Sequence, residues 1–138
     1  MATNKNINTL LTKWVSQIID QEWLEKKLNS GKQLRIKFGI DPSGTILHIG
    51  HMVPILKLRE FQELGHHVII LIGDATAQVG DSSDKDAERP MLKREETRKN
   101  AEAFVSKLSK ILDIPKIEIY YNSEWLDKVN FFGVGVLA

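Results

Sequence analysis

His48 and His51 are the side chains best suited to chemistry in this chain, standing in a His48-Ile49-Gly50-His51 tetrapeptide. Residues three apart on a helix share a face, so the spacing predicts two imidazoles projecting together. The run before them, Asp41-Pro42-Ser43-Gly44, breaks the chain, because Pro fixes φ and Gly tolerates any φ. The histidines therefore fall where a helix opens. A helix N-terminus offers unpaired N–H groups and the positive end of its dipole, which favour an anion such as a phosphate. Gly50 lets a flat ligand come close to the backbone.

Those groups need a frame. Leu34, Ile36, Phe38 and Ile40 alternate with Arg35, Lys37 and Gly39, the period of a strand. The apolar-rich run after the turn reaches Leu64, and Gly65 reads as a helix stop. Pro54 inside this run either kinks the helix or makes its regular part begin late. Val68 to Ile72 is continuously apolar, as expected of a strand buried on both faces. Gly73 to Arg89 is a polar stretch containing Asp74, Gly80, Asp81, Lys85 and Arg89. It leaves the carboxyl end of the second strand beside the exit of the first, the crevice where open α/β sheets bind ligands. Ala101, Phe104, Val105, Leu108, Ile111 and Leu112 line one face of a long helix that Asp113-Ile114-Pro115 ends. Ile117, Ile119 and Tyr121 alternate as a third strand, and Ser123 is suited to cap a short helix holding Trp125 and Leu126.

At the other end of the chain, Ile7, Leu10, Leu11, Trp14, Val15, Ile18 and Ile19 recur at three and four residues, predicting one helical stripe that packs into a core. Asp20 caps a second helix through Leu28, which Asn29-Ser30-Gly31 stops. Trp14 and Trp23 read as buried anchors. The whole is α/β, with residues 1–33 a helical segment and 34–138 a βαβαβ half of a Rossmann-like parallel sheet.

The 138 residues amount to one domain's worth of chain. A net charge of +1 argues against a global field for nucleic acid or membrane. With no Cys there is no disulfide framework and no thiolate metal site. Neither a signal-peptide core nor an apolar run of membrane-spanning length is present, so the cytoplasm is expected.

Pro42 to His51 resembles the HIGH signature of class I aminoacyl-tRNA synthetases. The longer run from Lys37 to His51, with Leu58-Arg59-Glu60-Phe61-Gln62-Glu63-Leu64-Gly65-His66, resembles the bacterial tyrosyl-tRNA synthetase family. So do Gly80-Asp81-Ser82-Ser83-Asp84-Lys85, where family members read Gly-Asp-Pro-Ser-Gly-Lys, and the block Asn122-Ser123-Glu124-Trp125-Leu126. The resemblance implies activation of tyrosine with ATP to tyrosyl-adenylate and transfer to tRNA(Tyr). It implies His48 and His51 as catalytic groups on the ATP phosphates, with Asp41, Pro42, Ser43, Gly44, Gly50, Lys85 and Arg89 around the nucleotide. Gly39, Asp41 and Asp81 would meet tyrosine, Asp81 through the ammonium group. Mg2+ would accompany ATP, and the family implies a homodimer.

The resemblance covers only the family's first part, so the chain is expected to be a fragment. By the resemblance, the second half-sheet, the KMSKS loop and the tRNA-binding domain are expected to be missing from it, and activity of this chain alone is not expected. Lys107-Leu108-Ser109-Lys110 imitates KMSKS, but Leu108 continues the apolar stripe, which marks it as a decoy. Ser82 and Asp84 depart from the family's Pro and Gly. Lys37 stands where some members carry a tyrosine that contacts the substrate phenol. Two alternatives share these motifs: a nucleotidylyltransferase of the same fold using His-x-Gly-His, and a non-catalytic ATP-binding fragment.

Overall fold

The computed structural model describes residues 4–44, 49–78, 92–130, 132–133 and 136. Its centre is a parallel sheet of β1 (Arg35–Ile40), β2 (His67–Ile72) and β3 (Ile117–Tyr121), in the spatial order β1-β2-β3. Between the strands run α3 (Ile49–Glu63) and α4 (Arg94–Leu108); α1 (Asn4–Thr12) and α2 (Gln21–Asn29) precede them, and α5 (Ser123–Leu126) follows β3. This is the expected βαβαβ arrangement of a Rossmann-like half-sheet.

Pairing register decides which side chains share a face. Ile36 lies opposite Val68 and Phe38 opposite Ile70, while Val68, Ile70 and Ile72 pair with Ile117, Ile119 and Tyr121. That face packs on Ile55 and Leu58 of α3 and on Ala101, Phe104 and Leu108 of α4. The other face carries Arg35, Lys37 and Gly39 of β1, Ile69 and Leu71 of β2, and Glu118 and Tyr120 of β3. Burial along β2 accordingly alternates: Val68, Ile70 and Ile72 are fully buried, Ile69 and Leu71 only partly. The expectation of a strand buried on both faces is corrected here, because both connecting helices cover one side. On the open side Glu118 joins all three strands, accepting from Arg35 at 2.9 Å, from the Tyr120 hydroxyl at 2.6 Å and lying 2.7 Å from His67 Nε2.

The turn into β2 is fixed by Gly65, whose φ of +86° only glycine adopts without strain. Beside it, the Leu34 amide donates to His66 Nδ1 at 3.3 Å, and burial holds the His66 imidazole below its ordinary pKa. Pro54 sits inside α3, whose helical hydrogen-bonding begins ahead of it at Ile49, so the late-start alternative does not apply.

A second cluster joins Ile7, Leu10 and Leu11 of α1 to Leu28 of α2, against Phe61 and Leu64 near the end of α3. The seven-residue stripe is shortened. Helix α1 ends at Thr12, and Trp14 takes a left-handed φ of +58°, which carries the chain off the helical path. Trp14 is 54% exposed and Ile19 89%, while Ile18 still packs against the cluster. Trp23, 55% exposed, is no buried anchor either; Lys13 and Lys27 instead sit over the Trp14 and Trp23 rings at 3.9 and 5.4 Å. The Asp20 cap forms as expected, accepting from Trp23 N at 3.3 Å. Helix α4 ends at Leu108, earlier than the stripe suggested, yet Leu112 beyond it remains buried.

Candidate active site

The carboxyl ends of the strands frame a cleft of ≈ 460 Å³, lined by Phe38, Gly39, Ile40, Asp41, His51, Leu71, Gly73 and Asn122. That volume falls within the range of small-molecule sites. Gly39 leaves part of the wall bare: a Cβ there would meet only the Leu71 carbonyl, at 4.0 Å. His51 comes from the first turn of α3, immediately after Gly50.

Gly73 extends the sheet pairing, its amide donating to the Ile40 carbonyl at 2.8 Å. It is buried, and a Cβ on it would collide with the Asp41 carboxylate, lying 2.9 Å from Asp41 Cγ and 2.5 Å from Thr76 Oγ1. A side chain at position 73 would therefore force the Asp41 carboxylate and the Thr76 hydroxyl out of their places. Thr76 Oγ1 donates to Asp41 Oδ1 at 2.8 Å and accepts from Asn122 Nδ2 at 2.9 Å. Asn122 Oδ1 in turn accepts from the Ala75 amide at 2.9 Å. Below this, Asp74, 1% exposed, accepts from the Ser123 amide at 3.0 Å and the Ser123 hydroxyl at 2.7 Å. The chain leaving β2 is thus bolted to the chain leaving β3. Ser123 therefore does not cap α5 as expected; it is the first residue of that helix, and its hydroxyl is engaged by Asp74. Tyr121, just before Asn122, has its phenol pushed above the ordinary value by burial, then by the Glu102 and Asp74 carboxylates, and stays neutral.

Of the residues singled out in the sequence, Gly39, Asp41 and His51 meet in the cleft. Pro42 is buried and its carbonyl accepts from Asn100 Nδ2 of α4 at 3.0 Å, which ties the turn to the helix layer. Ser43 and Gly44 are exposed, with the Ser43 amide donating to the Asp41 carbonyl at 2.9 Å. Gly50 lies in the first turn of α3. His48, Asp81, Lys85 and Arg89 lie outside the described residues. Leu108 is fully buried in the core, consistent with a decoy at Lys107 to Lys110.

Gly73, Thr76 and Asn122 have no site role in the sequence reading. Thr76 lies within a polar stretch that composition marks only as a loop, and Asn122 carried a motif without a task. The available signal was position: Gly73 and Asn122 immediately follow β2 and β3, whose carboxyl ends face a common crevice, and Thr76 lies in the turn just beyond Gly73.

The profile of the family described as tRNA synthetases class I (W and Y) matches residues 29–134. The chain belongs to this family. Among curated class I relatives, the tyrosine–tRNA ligase of Oleidesulfovibrio alaskensis is 48% identical over 93% of this chain and 32% of its own length. That of Thermotoga maritima is 44% identical over the whole chain and 34% of its own length. The chain thus spans about a third of the length of the curated relatives it matches. A crystal structure of the tyrosyl-tRNA synthetase of Archaeoglobus fulgidus, complexed with L-tyrosine, superposes with a TM-score of 0.73 at 24% identity. It covers 97% of this chain and 38% of that one, a likeness of fold. Among the described residues, no helix of this class I synthetase chain is long and apolar enough to cross a membrane.

Proposed function

We propose that this chain carries the nucleotide- and amino-acid-binding half-sheet of a tyrosine–tRNA ligase, with residues 1–33 as a helical segment preceding a catalytic half-domain, 34–138. The observation that carries the reading is the cleft, where Gly39, Asp41 and His51 converge at the strand ends. The relatives supply the substrate, since those described above are tyrosine–tRNA ligases. That also weighs against a nucleotidylyltransferase.

In the reaction, a carboxylate oxygen of L-tyrosine attacks the α-phosphorus of ATP and the bond to the bridging oxygen breaks, releasing pyrophosphate. Tyrosine is then transferred to tRNA(Tyr). Positioning and charge stabilisation dominate such a displacement. His48 and His51 stabilise charge growing on the phosphates. Pro42, Ser43, Gly44 and Gly50 border the nucleotide, with Lys85 and Arg89 approaching its phosphates. Gly39, Asp41 and Asp81 face the amino acid, Asp81 pairing with the ammonium group. Among the described residues no set of three His, Asp or Glu side chains could hold a metal ion. In this reading Mg2+ accompanies ATP as its phosphate-bound counter-ion. The same reading carries a homodimeric, cytoplasmic enzyme.

Titrating ATP and L-tyrosine separately into the chain, followed by backbone amide NMR, tests the proposal. Shifts should concentrate at Gly39, Asp41, His51, Gly73 and Asn122. Binding of a phosphopantetheine-like acceptor in place of tyrosine, or shifts clustered away from the strand ends, would contradict it.

A further inference from the structure

The hydrogen bonds around Asn122 run in one direction only. Its Oδ1 is taken by the Ala75 amide at 2.9 Å, so its Nδ2 must face Thr76, 2.9 Å away. Thr76 Oγ1 then spends a lone pair on Asn122, and its one hydrogen is left for Asp41 Oδ1 at 2.8 Å or the Gly73 carbonyl at 3.2 Å. The shorter bond, to a charged oxygen, is the stronger. Gly73 borders the other side, its missing Cβ leaving the space that the Asp41 carboxylate occupies. Asp41 itself is exposed, on a turn, where a free carboxylate would sample several rotamers.

We propose that Thr76 and Asn122 are positioning residues forming a directional relay, Asn122 to Thr76 to Asp41. The relay pins Oδ1 of Asp41 and presents Oδ2 to a hydrogen-bond donor in the cleft. It links the exits of all three strands, so the carboxylate is aimed by residues 35 and 81 positions away in sequence. The donor is an ammonium group or a sugar hydroxyl; L-tyrosine carries the first and ATP the second. The ligand part rests on the function proposed above, whereas the relay itself does not.

The test uses the 138-residue chain with Thr76→Val, Thr76→Ser and Asn122→Asp. Asn122→Asp keeps the acceptor for Ala75 but removes the donor, so the Thr76 hydroxyl turns toward residue 122 and away from Asp41. Three-bond couplings at Asp41, measured without ligand, should show a single χ1 rotamer in the parent and in Thr76→Ser. Averaged values are expected in Thr76→Val and Asn122→Asp. Titrated with L-tyrosine and with ATP, Thr76→Val should lose about tenfold in affinity for whichever ligand uses Oδ2, the scale of one hydrogen bond to a charged group. Thr76→Ser should restore it, and Asp41→Asn with Thr76→Val should lose no more than Asp41→Asn alone. An Asp41 rotamer indifferent to Thr76→Val overturns the relay, whatever binds. If neither ligand binds the parent while the rotamer responds, the relay stands and the functional reading fails.

Discussion

Gly73 shows how little room the site leaves at the scale of single residues. Its missing Cβ is the space that the Asp41 carboxylate and the Thr76 hydroxyl occupy. Gly73→Ala should displace the carboxylate, break the Thr76 bond and weaken binding at the cleft by about tenfold, the value of one charged hydrogen bond. Titration of ATP and L-tyrosine, with a melting curve confirming that the variant folds, measures this; unchanged affinity for both would show that Asp41 takes no part. Legibility at this scale divided by sequence distance. Gly39, Asp41 and His51 share one local run of strand, turn and helix, in which residue type and spacing pointed to His51 and the family resemblance carried by the same run pointed to Gly39 and Asp41. Thr76 reaches Asp41 across 35 positions, and Asn122 reaches Thr76 across 46. No local pattern encodes a bond between a loop threonine and the residue after a distant strand.

Among the elements, strands were legible where apolar and polar residues alternate, as in β1, and over-read where everything is apolar. Val68 to Ile72 offers no polar residue to mark its open face, so only the placement of α3 and α4 decides which side is buried. The stripe from Ile7 to Ile19 was over-read for a different reason: periodicity persists in sequence after the backbone leaves the helix at Trp14. The pseudo-signature that straddles the end of α4 separates packing from chemistry. Leu108→Ala should cost about 2–5 kcal/mol in denaturant unfolding, as truncation of a buried Leu does. Lys110→Ala should leave stability within about 0.5 kcal/mol, as exposed substitutions do. Equal effects would place Leu108 outside the core.

The open face of the sheet adds a pH dependence. The Tyr120 hydroxyl, then His67 and Arg35, hold the Glu118 carboxyl below its ordinary value of 4.5, outweighing its partial desolvation. A depressed carboxyl pKa stabilises the fold above the unfolded value, and that stability is lost as pH falls through the folded one. The melting temperature should therefore drop as pH is lowered past 4.5, and Glu118→Gln should flatten part of that drop. Glu60 contributes a further part: burial opposes its ionisation, but bonds from Lys57 and Lys13 prevail and lower its pKa too. An acid slope identical in the parent and Glu118→Gln would remove the cross-strand role of Glu118.

For the whole molecule, three parallel strands deliver their carboxyl ends to one crevice, and each contributes directly: Asp41 after β1, Gly73 after β2, Asn122 after β3. Helices α3 and α4 cover one face, and Gly39 and Leu71 of the opposite face line the cleft together with Phe38 and Ile40. The account's central claim is that this crevice activates tyrosine when joined to the rest of a class I enzyme. The direct measurement is tyrosine-dependent exchange of pyrophosphate into ATP by a chimera in which residues 1–138 replace the matching third of the Thermotoga maritima ligase. The account predicts exchange that requires L-tyrosine, and a His51→Ala chimera slowed at least about 100-fold, as loss of a charge-stabilising donor implies, with tyrosine affinity barely changed. A folded chimera without exchange, or one in which His51→Ala lowers tyrosine affinity as much as rate, would contradict it.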